Sequence, residues 1–362
     1  MLLKNVLRKK TATIILVIMG VNSAKAQDSI IVNNKPIFSG FADAYYRYSF
    51  LDPPSEGKTF DNYTSFTNSH NSFELGMISV KMEQSIGKVG LVGDLGFGKR
   101  AQDFSYNDEN SMLAIKQLFL SYTPVKNLKL TGGSWATHVG YEVVDAPGNR
   151  NYSMSYMFSY GPFFHTGLKA DYALGTSGFM VGVVNPNDLK SANFSKKYFI
   201  GQYRIALSDN AINMFLNGLA GKIDKENRTS QLDLVVTGTV SKKVSLGYNG
   251  TVSSSDNRVQ GNWDPAQEWW GSAVYFNYDH NTKLGASLRT EYFSDSRGVT
   301  TPFQITKGGS VRVATFSLNA KISNLVLVPE IRLEDADRPI FTKRIGTASN
   351  SLSFLFGAYY RF

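Results

Sequence analysis

The last residues of the chain alternate regularly between apolar and polar side chains. Leu352, Phe354 and Phe356 fall on the same parity as Tyr360 and Phe362, whereas the intervening parity carries serine, glycine and arginine. A period of two is typical of a β-strand with one apolar and one hydrated face. The same alternation recurs at 229–240, 282–293 and 310–321, so we predict an all-β chain.

Sixteen segments of this kind can be placed along the chain. Each has about the length of 9–11 residues that a tilted strand needs to cross a bilayer, or is slightly longer. They are predicted at 36–50, 70–85, 88–98, 112–123, 127–137, 164–174, 177–185, 197–207, 211–222, 229–240, 243–254, 268–279, 282–293, 310–321, 324–334 and 349–362.

The connections between these segments alternate in length. Short turns rich in Gly, Asn, Asp and Ser, residues that suit tight turns, lie at 86–88, 124–127, 175–177, 208–210, 241–243, 279–281 and 323–324. Longer loops lie at 51–69, 99–111, 138–163, 186–196, 223–228, 255–267, 294–309 and 335–348. The alternation predicts a transmembrane antiparallel up-and-down β-barrel of about sixteen strands, with short periplasmic turns and long extracellular loops.

One predicted strand, 70–85, is irregular. Its apolar parity changes from Phe73, Leu75 and Met77 to Ile78 and Val80. An extra residue in one strand of an antiparallel pair causes such a shift. We therefore expect a β-bulge in this segment.

The N-terminus and the composition agree with export to an envelope. A basic stretch precedes an apolar run at 11–21, and the small residues Ser23, Ala24 and Ala26 follow, which predicts a signal peptide at 1–26 and a barrel domain at 27–362. The 362 residues include no cysteine, so disulfides and thiolate metal sites are excluded. Five basic residues of the formal charge of +9 belong to the signal, and no dense basic run suggests nucleic acid.

The charged parity of the strands should face the inside of the barrel. A charged side chain on the lipid face near the bilayer midplane costs about 2–4 kcal/mol, and a barrel of sixteen strands leaves an aqueous channel. An alternative for any one of these residues is that it pairs across strands and only maintains the barrel. The predicted pore-lining residues of the wall are Asp43, Arg47, Asp94, Lys169, Asp171, Arg204, Asp233, Arg289, Glu291, Glu330 and Arg332.

The longest connection, 138–163, is the strongest candidate for a functional loop. Long loops without structure of their own are usually functional or disordered, and the aromatic and methionine content of this one disfavours disorder. We predict that it folds into the barrel as a constriction, with Glu142, Asp145 and Arg150 facing basic residues of the wall. The alternative is an extracellular lid packed on neighbouring loops.

Several stretches resemble the β-barrel porin family of the OmpL-like type, which is common in Bacteroidota envelopes. They read GYE at 140–142, NRNYSMSY at 149–156 and GPFFHTG at 161–167, together with GFADAYY at 40–46 and the strand at 116–122. The resemblance implies an outer-membrane barrel in contact with lipid. It also implies that the barrel assembly machinery reads the last strand, which ends at Phe362.

Enzymatic readings find little support. The four histidines, His70, His138, His165 and His280, show no HExxH or equivalent metal spacing, and 93–98 does not match GxGxxG. A hydrolase using His165 and a nearby serine on the lipid face is the only candidate. We therefore predict a Gram-negative outer-membrane porin for passive diffusion of small solutes, without a cofactor. The alternative is a structural or adhesive barrel with an occluded lumen.

Overall fold

The computed structural model describes residues 35–54, 61–259, 262–263 and 267–362. The predicted signal peptide, 1–26, lies outside the described residues. Within these ranges there are sixteen long strands: β1 Ile37–Ser49, β2 Ser72–Ile86, β3 Val89–Phe97, β4 Ile115–Val125, β5 Leu128–Ala136, β6 Phe164–Leu174, β7 Ser177–Val184, β8 Tyr198–Leu207, β9 Ile212–Lys222, β10 Asn227–Thr239, β11 Val244–Val259, β12 Gln267–Asp279, β13 Leu284–Asp295, β14 Gly309–Ile322, β15 Leu325–Ala336 and β16 Asn350–Arg361.

The strands form a closed antiparallel barrel. Each strand pairs with its neighbours in the chain, and β1 pairs with β2 on one side and β16 on the other. At this seam Gly40 and Phe362 exchange both backbone hydrogen bonds, each 3.0 Å long. A Cβ atom on Gly40 would lie 2.5 Å from the Phe362 ring, so the seam requires glycine there. The predicted sixteen-stranded barrel is thus confirmed, and both sheet edges are removed.

The described parts of the loops contain only short elements. They are the helices α1 Lys99–Phe104, α2 Tyr156–Tyr160 and α3 Thr301–Gln304, and the 3-10 turns Asn110–Ala114 and Ala146–Gly148. Two-residue strands occur at Asn262–Trp263, Phe341–Thr342 and Thr347–Ala348. Within the described parts of the chain, no helix has both the length and the apolar character needed to span a membrane.

The predicted loops at 223–228 and 255–267 are shorter than expected. Strands β10 and β11 stay paired out to Asn227 and Asn257, and only four residues separate β9 from β10. The polar composition of these strand ends made them resemble loops. The barrel wall therefore rises higher at β9–β11 than the alternation of the sequence indicated.

Register shifts interrupt the ladder between β1 and β2, between β3 and β4, and between Tyr122 and Val125 of β4 and the facing β5; the first two decide which charged side chains point inward. Asp43 of β1 opposes both Gly76 and Met77 of β2, so Leu75 and Ile78 both face outward, as predicted for this strand. The second bulge lies between β3 and β4, where Asp94 pairs with Gln117 and Leu95 with Ile115. Lys116 is the extra residue there, and it is buried inside the barrel, although the parity of β4 would place it outside.

Candidate functional site

The connection between β5 and β6, residues 137–163, is termed the inner loop. Its two ends meet at the loop rim, where the Thr137 amide donates to the Phe163 carbonyl at 3.0 Å. Between these ends, its residues bond to inward-facing side chains of the wall, and residues 151–158 are all buried. The inner loop therefore lies inside the barrel.

Arg289 of β13 is the central anchor of the inner loop. Its fully buried guanidinium donates to Glu142 Oε1 at 2.5 Å and to the carbonyls of Ser153 and Met154 at 2.7 and 3.2 Å. Glu142 in turn accepts from the Ser155 amide at 2.8 Å. The planar guanidinium thus holds two separate parts of the inner loop together, Glu142 and residues 153–154.

Strand β15 binds the backbone of the same segment. Glu330 accepts from the amides of Tyr152 and Ser153 at 2.8 and 3.2 Å. Arg332 donates to the Met154 carbonyl at 2.8 Å. Buried backbone groups need partners, and the charged wall supplies them where the irregular loop cannot pair with itself.

The next anchors lie on either side of β15. Glu291 of β13 accepts from the Met157 amide at 3.1 Å, at the start of α2. On β1, Asp43 accepts from the Met77 amide at 2.7 Å and from the Tyr152 hydroxyl. These carboxylates fix two ends of the buried segment 151–158.

Arg100 of α1 joins a neighbouring loop to this arrangement. Its guanidinium lies 4.9 Å from the Tyr152 ring centroid and 3.5 Å from Asp43, and it donates to the Val144 carbonyl at 3.3 Å. Nearby, Arg47 of β1 pairs with Asp61 at 3.2 Å. The loop between β1 and β2 and the one between β3 and β4 are therefore tied to the same interior.

Lys116, turned inward by the second bulge, bridges the wall and the inner loop. Its ammonium lies 3.2 Å from Asp94 of β3 and 2.6 Å from Asp145 of the inner loop. Burial and the neighbouring Asp94 charge raise the pKa of Asp145, and Lys116 acts in the opposite direction. Asp145 thus faces a basic residue, which is the kind of partner that the sequence suggested.

Arg150 has a different partner from the expected one. It forms two hydrogen bonds of 2.7 and 2.8 Å with Asp279, the last residue of β12. Because Asp279 lies at the turn end of its strand, the inner loop reaches the periplasmic half of the barrel. An acidic wall residue, and not a basic one, therefore faces Arg150.

A narrow gap remains between the inner loop and strands β10 and β11. Asp233 borders it and accepts from the Gly140 amide at 3.0 Å and from Asn217 at 2.7 Å. Met157 and Gln231 line other sides of the gap, whose volume is about 10 Å³. A space of this size holds about one water molecule.

The opposite wall is more open in its turn half. Lys169 and Asp171 of β6 lie 3.4 Å apart, and their side chains are 21% and 28% exposed. Lys81 and Glu83 of β2 form a similar pair at 2.8 Å. Arg204 of β8 is half-buried above Gly178.

A larger cavity of about 400 Å³ lies at the loop rim, where four loops meet. Its walls include Asn68, Asp103, Tyr160, Phe163 and Asn187. This cavity is termed the vestibule.

Asp188 closes the base of the vestibule. It accepts from the amides of Phe163 and Phe164 at 2.7 and 3.0 Å and from the Tyr106 hydroxyl at 3.1 Å. Burial raises the pKa of Asp188 to about 6, while these hydrogen bonds lower it. Asp188 thus ties the end of the inner loop to two neighbouring loops.

The structure offers little for covalent or metal chemistry. His165 is buried inside the barrel, with Nε2 3.1 Å from the Thr137 hydroxyl, and does not lie on the lipid face. The His138 ring centroid is 5.1 Å from that of His165. Among the described residues, no group of three or more His, Asp or Glu side chains could hold a metal ion.

Several residues of the site were not predicted from the sequence, among them Asp61, Asp188 and Asp279. Lys116 escaped because a bulge reverses its parity, Arg100 because it lies in a loop, and Tyr152 because its hydroxyl was not considered as a partner for Asp43. The shift from Phe73 and Leu75 to Ile78 signalled the first bulge. For Lys116, the only comparable signal is a lysine on the apolar parity of a strand.

Comparison with known proteins places this architecture among outer-membrane channels. An anion-selective porin from Comamonas acidovorans has a TM-score of 0.61 at 8% identity, covering 91% of this chain and 99% of that one. OmpT of Vibrio cholerae, folded in vitro, has a TM-score of 0.57 at 12% identity, covering 90% of this chain and 97% of that one. The outer membrane channel DcaP of Acinetobacter baumannii has a TM-score of 0.56 at 12% identity, covering 95% of this chain and 100% of that one.

Identities this low establish a shared fold. Among curated proteins, no match to the chain was found. One family description, however, matches residues 37–362, which is the whole barrel. The chain therefore belongs to the family described as "Putative beta-barrel porin-2, OmpL-like", and it is a porin-like channel of the outer membrane.

Proposed function

We propose that this barrel lets small hydrophilic solutes and ions diffuse passively along a narrow path beside the inner loop. The observation that carries the proposal is an asymmetry of the lumen. The inner loop is bound to inward side chains of β10 to β15, β1 and β4, and in the turn half it reaches Asp279 of β12. The turn half of the wall from β2 to β8, by contrast, keeps partly exposed charges such as Lys169 and Asp171. Passage through such a path involves no covalent step and no cofactor.

The predicted pore residues divide into two groups under this proposal. Anchors hold the inner loop or its neighbours, and all but Asp145, whose side chain is 37% exposed, are buried; they are Asp43, Arg47, Asp94, Glu142, Asp145, Asp233, Arg289, Glu291, Glu330 and Arg332. Liners remain partly exposed near the path; they are Arg150, Lys169, Asp171 and Arg204. The anchors set the width of the path, and the liners set its charge.

The liners and their surroundings carry more positive than negative charge. In the turn half, the acidic side chains Glu83, Asp171 and Asp279 face a larger basic set made up of Lys81, Lys129, Arg150, Lys169, Arg204, Lys321 and Arg361. A lumen lined mainly by one sign of charge concentrates ions of the opposite sign. We therefore propose a preference for anions, a property that the name of the Comamonas acidovorans porin also states for that protein.

The second candidate function is a structural or adhesive barrel whose lumen is closed. The small gap of about 10 Å³ beside Asp233 favours this candidate, because it would pass no solute without movement of the inner loop. Under either function we propose that residues 1–26 are removed on export. We also propose that the assembly machinery reads the strand ending at Phe362.

Thiol labelling tests where the water path lies. The chain has no cysteine, so a single introduced thiol is the only one to react. In Lys169→Cys, a bulky, charged, membrane-impermeant thiol reagent should reduce single-channel conductance by about half or more, because the adduct narrows a charged water path. The measurement is planar-bilayer conductance before and after the reagent is added.

Leu168→Cys is the matched control. Leu168 is the preceding residue of β6 and is 69% exposed on the outer face, towards lipid. Its modification should leave conductance unchanged. Equal effects at the two positions, or no effect at Lys169→Cys, would contradict a path along β6.

A further inference from the structure

The vestibule is built from four separate loops. Ser65 and Asn68 come from the loop after β1, and Asp103 and Tyr106 come from the loop after β3. Residues 159–161 and Phe163 come from the inner loop, and Asn187 with Asp188 comes from the loop after β7. Its volume of about 400 Å³ falls in the range of 300–1,000 Å³ that is common for small-molecule sites. Tyr106 is 57% exposed, so the vestibule extends to the loop surface.

Unused hydrogen-bond acceptors collect in this cavity. Asn68 Oδ1, Asp103 Oδ2 and Asn187 Oδ1 are buried oxygens that accept no hydrogen bond from any residue the structure describes. All three residues line the vestibule. Buried polar atoms without partners are uncommon in native proteins and call for an explanation such as a bound molecule.

The hydroxyl donors of the same cavity are already in use. The Tyr160 hydroxyl donates to the Tyr63 carbonyl at 2.9 Å, and the Tyr106 hydroxyl donates to Asp188 at 3.1 Å. The Ser159 hydroxyl donates to the Ser155 carbonyl at 2.8 Å. These three hydroxyls are therefore engaged, whereas the buried oxygens of Asn68, Asp103 and Asn187 have no donor among the described residues, and a ligand that brings donors can supply it.

The charge of the vestibule has the sign that suits a cation. Asp103 and Asp188 are its charged side chains, and its described lining includes no lysine or arginine. The exposed Lys99 pairs with the other carboxylate oxygen of Asp103 at 2.7 Å, outside the lining. Phe163 and Tyr160 add aromatic faces, which attract cations.

We propose that the vestibule binds the primary ammonium group of a small organic solute. An ammonium group carries three donors and no acceptor, which matches a cavity with three free acceptors and an excess of carboxylate. Binding itself does not require conduction. The proposal rests neither on the proposed diffusion nor on the preference for anions, which concerns the turn half of the lumen and not the loop rim.

Isothermal titration calorimetry of the folded full-length protein in detergent tests this proposal with a pair of isosteric probes. We expect 1,4-diaminobutane to bind and 1,4-butanediol, which replaces each ammonium by a hydroxyl, to bind at least about tenfold more weakly, because hydrogen bonds to charged groups are the stronger ones. Similar affinities for the two probes would overturn the proposal. Absence of binding by the diamine would also overturn it.

Two substitutions move the affinity in opposite directions. Asp103→Asn removes a carboxylate whose free oxygen lines the vestibule and should weaken diamine binding by about tenfold. Asn187→Asp adds a carboxylate at a second free acceptor and should strengthen it by about fivefold. Because the second effect is a gain, a variant that simply fails to fold cannot produce it.

Asn193→Asp provides the matched control for added charge. Asn193 is exposed on the same loop as Asn187 and does not line the vestibule. Its substitution should leave diamine affinity within about twofold, because exposed charges are well screened. Equal gains at positions 187 and 193 would show a general surface potential and overturn a localised site.

The failure of this proposal can be told apart from that of the porin proposal. Calorimetry reports binding whether or not the barrel conducts. Diamine binding in a non-conducting barrel would overturn only the proposed diffusion. Conduction without preferential diamine binding would overturn only the vestibule site.

Discussion

Excision of the inner loop should raise single-channel conductance several-fold. The change replaces residues 140–160 with a short Gly–Ser linker and keeps the hydrogen bond between Thr137 and Phe163 that joins the two ends. The excised segment contains Glu142, Arg150 and the buried stretch 151–158, which cover the wall from β12 to β15. A sixteen-stranded barrel without such a filling is wide enough for an aqueous channel.

Planar-bilayer recordings of the purified variant measure this effect. The control removes residues 343–346, the exposed tip of the loop between β15 and β16. That change shortens an extracellular loop without touching the inner loop and should leave conductance as it is. Unchanged conductance after excision of 140–160 would show that the inner loop does not restrict passage.

The second large effect is expected on stability from Arg289→Ala. Removing this side chain leaves Glu142 and the Ser153 and Met154 carbonyls buried without their donor. Loss of one partner of a buried ion pair costs about 3–5 kcal/mol. We expect the free energy of unfolding to fall by about 3 kcal/mol, near the lower limit of that range, since water from the lumen can partly replace the guanidinium.

Urea unfolding of the refolded protein measures the loss in free energy of unfolding. The folded fraction at each urea concentration is read from the electrophoretic mobility of unheated samples, because the folded barrel and the heat-unfolded chain migrate differently. Arg312→Ala is the matched control, since Arg312 lies on β14 but is 77% exposed and 3.8 Å from its partner Asp335. Exposed pairs of this kind contribute at most about 1 kcal/mol. The loss for Arg289→Lys should lie between the losses for the two alanine variants, because lysine keeps the positive charge but lacks the planar set of guanidinium donors. Equal losses for Arg289→Ala and Arg312→Ala would contradict the anchoring role.

The barrel itself could be predicted because the face of each strand residue follows from its position in the strand and its polarity. Side chains alternate with a period of two, and lipid excludes charge from one face, so Arg289 and Glu291 could be assigned to the interior from sequence alone. Both side chains are buried and bind the inner loop. The strand ends were less certain at β10 and β11, where polar residues continue to pair beyond the predicted limits.

The partners of the interior charges could not be predicted in the same way. Glu142 and Arg289 are 147 positions apart, and their contact depends on the path of the inner loop through the lumen. Parity assigns a face but not a partner. Arg150 illustrates this limit, because it was expected to face basic residues and instead binds Asp279.

Bulges explain the remaining differences. Lys116 lies on the outward parity of β4, yet the bulge opposite β3 turns it inward to Asp94 and Asp145. A single extra residue reverses the parity of a strand, and only a visible break in the apolar pattern reveals it. In β2 the apolar pattern changes parity, whereas in β4 the pattern keeps its parity and the only sign is the lysine itself on the apolar side.

We propose that the unmodified barrel conducts beside the inner loop and prefers anions. The most direct test is the single-channel current of the wild-type protein in a planar bilayer under a KCl gradient. We predict small, discrete conductance steps with a reversal potential shifted towards that of chloride, because basic residues such as Lys129 and Lys169 outnumber acidic ones in the open half of the lumen. A folded barrel that gives no steps until residues 140–160 are removed would contradict this claim and favour the closed, structural alternative.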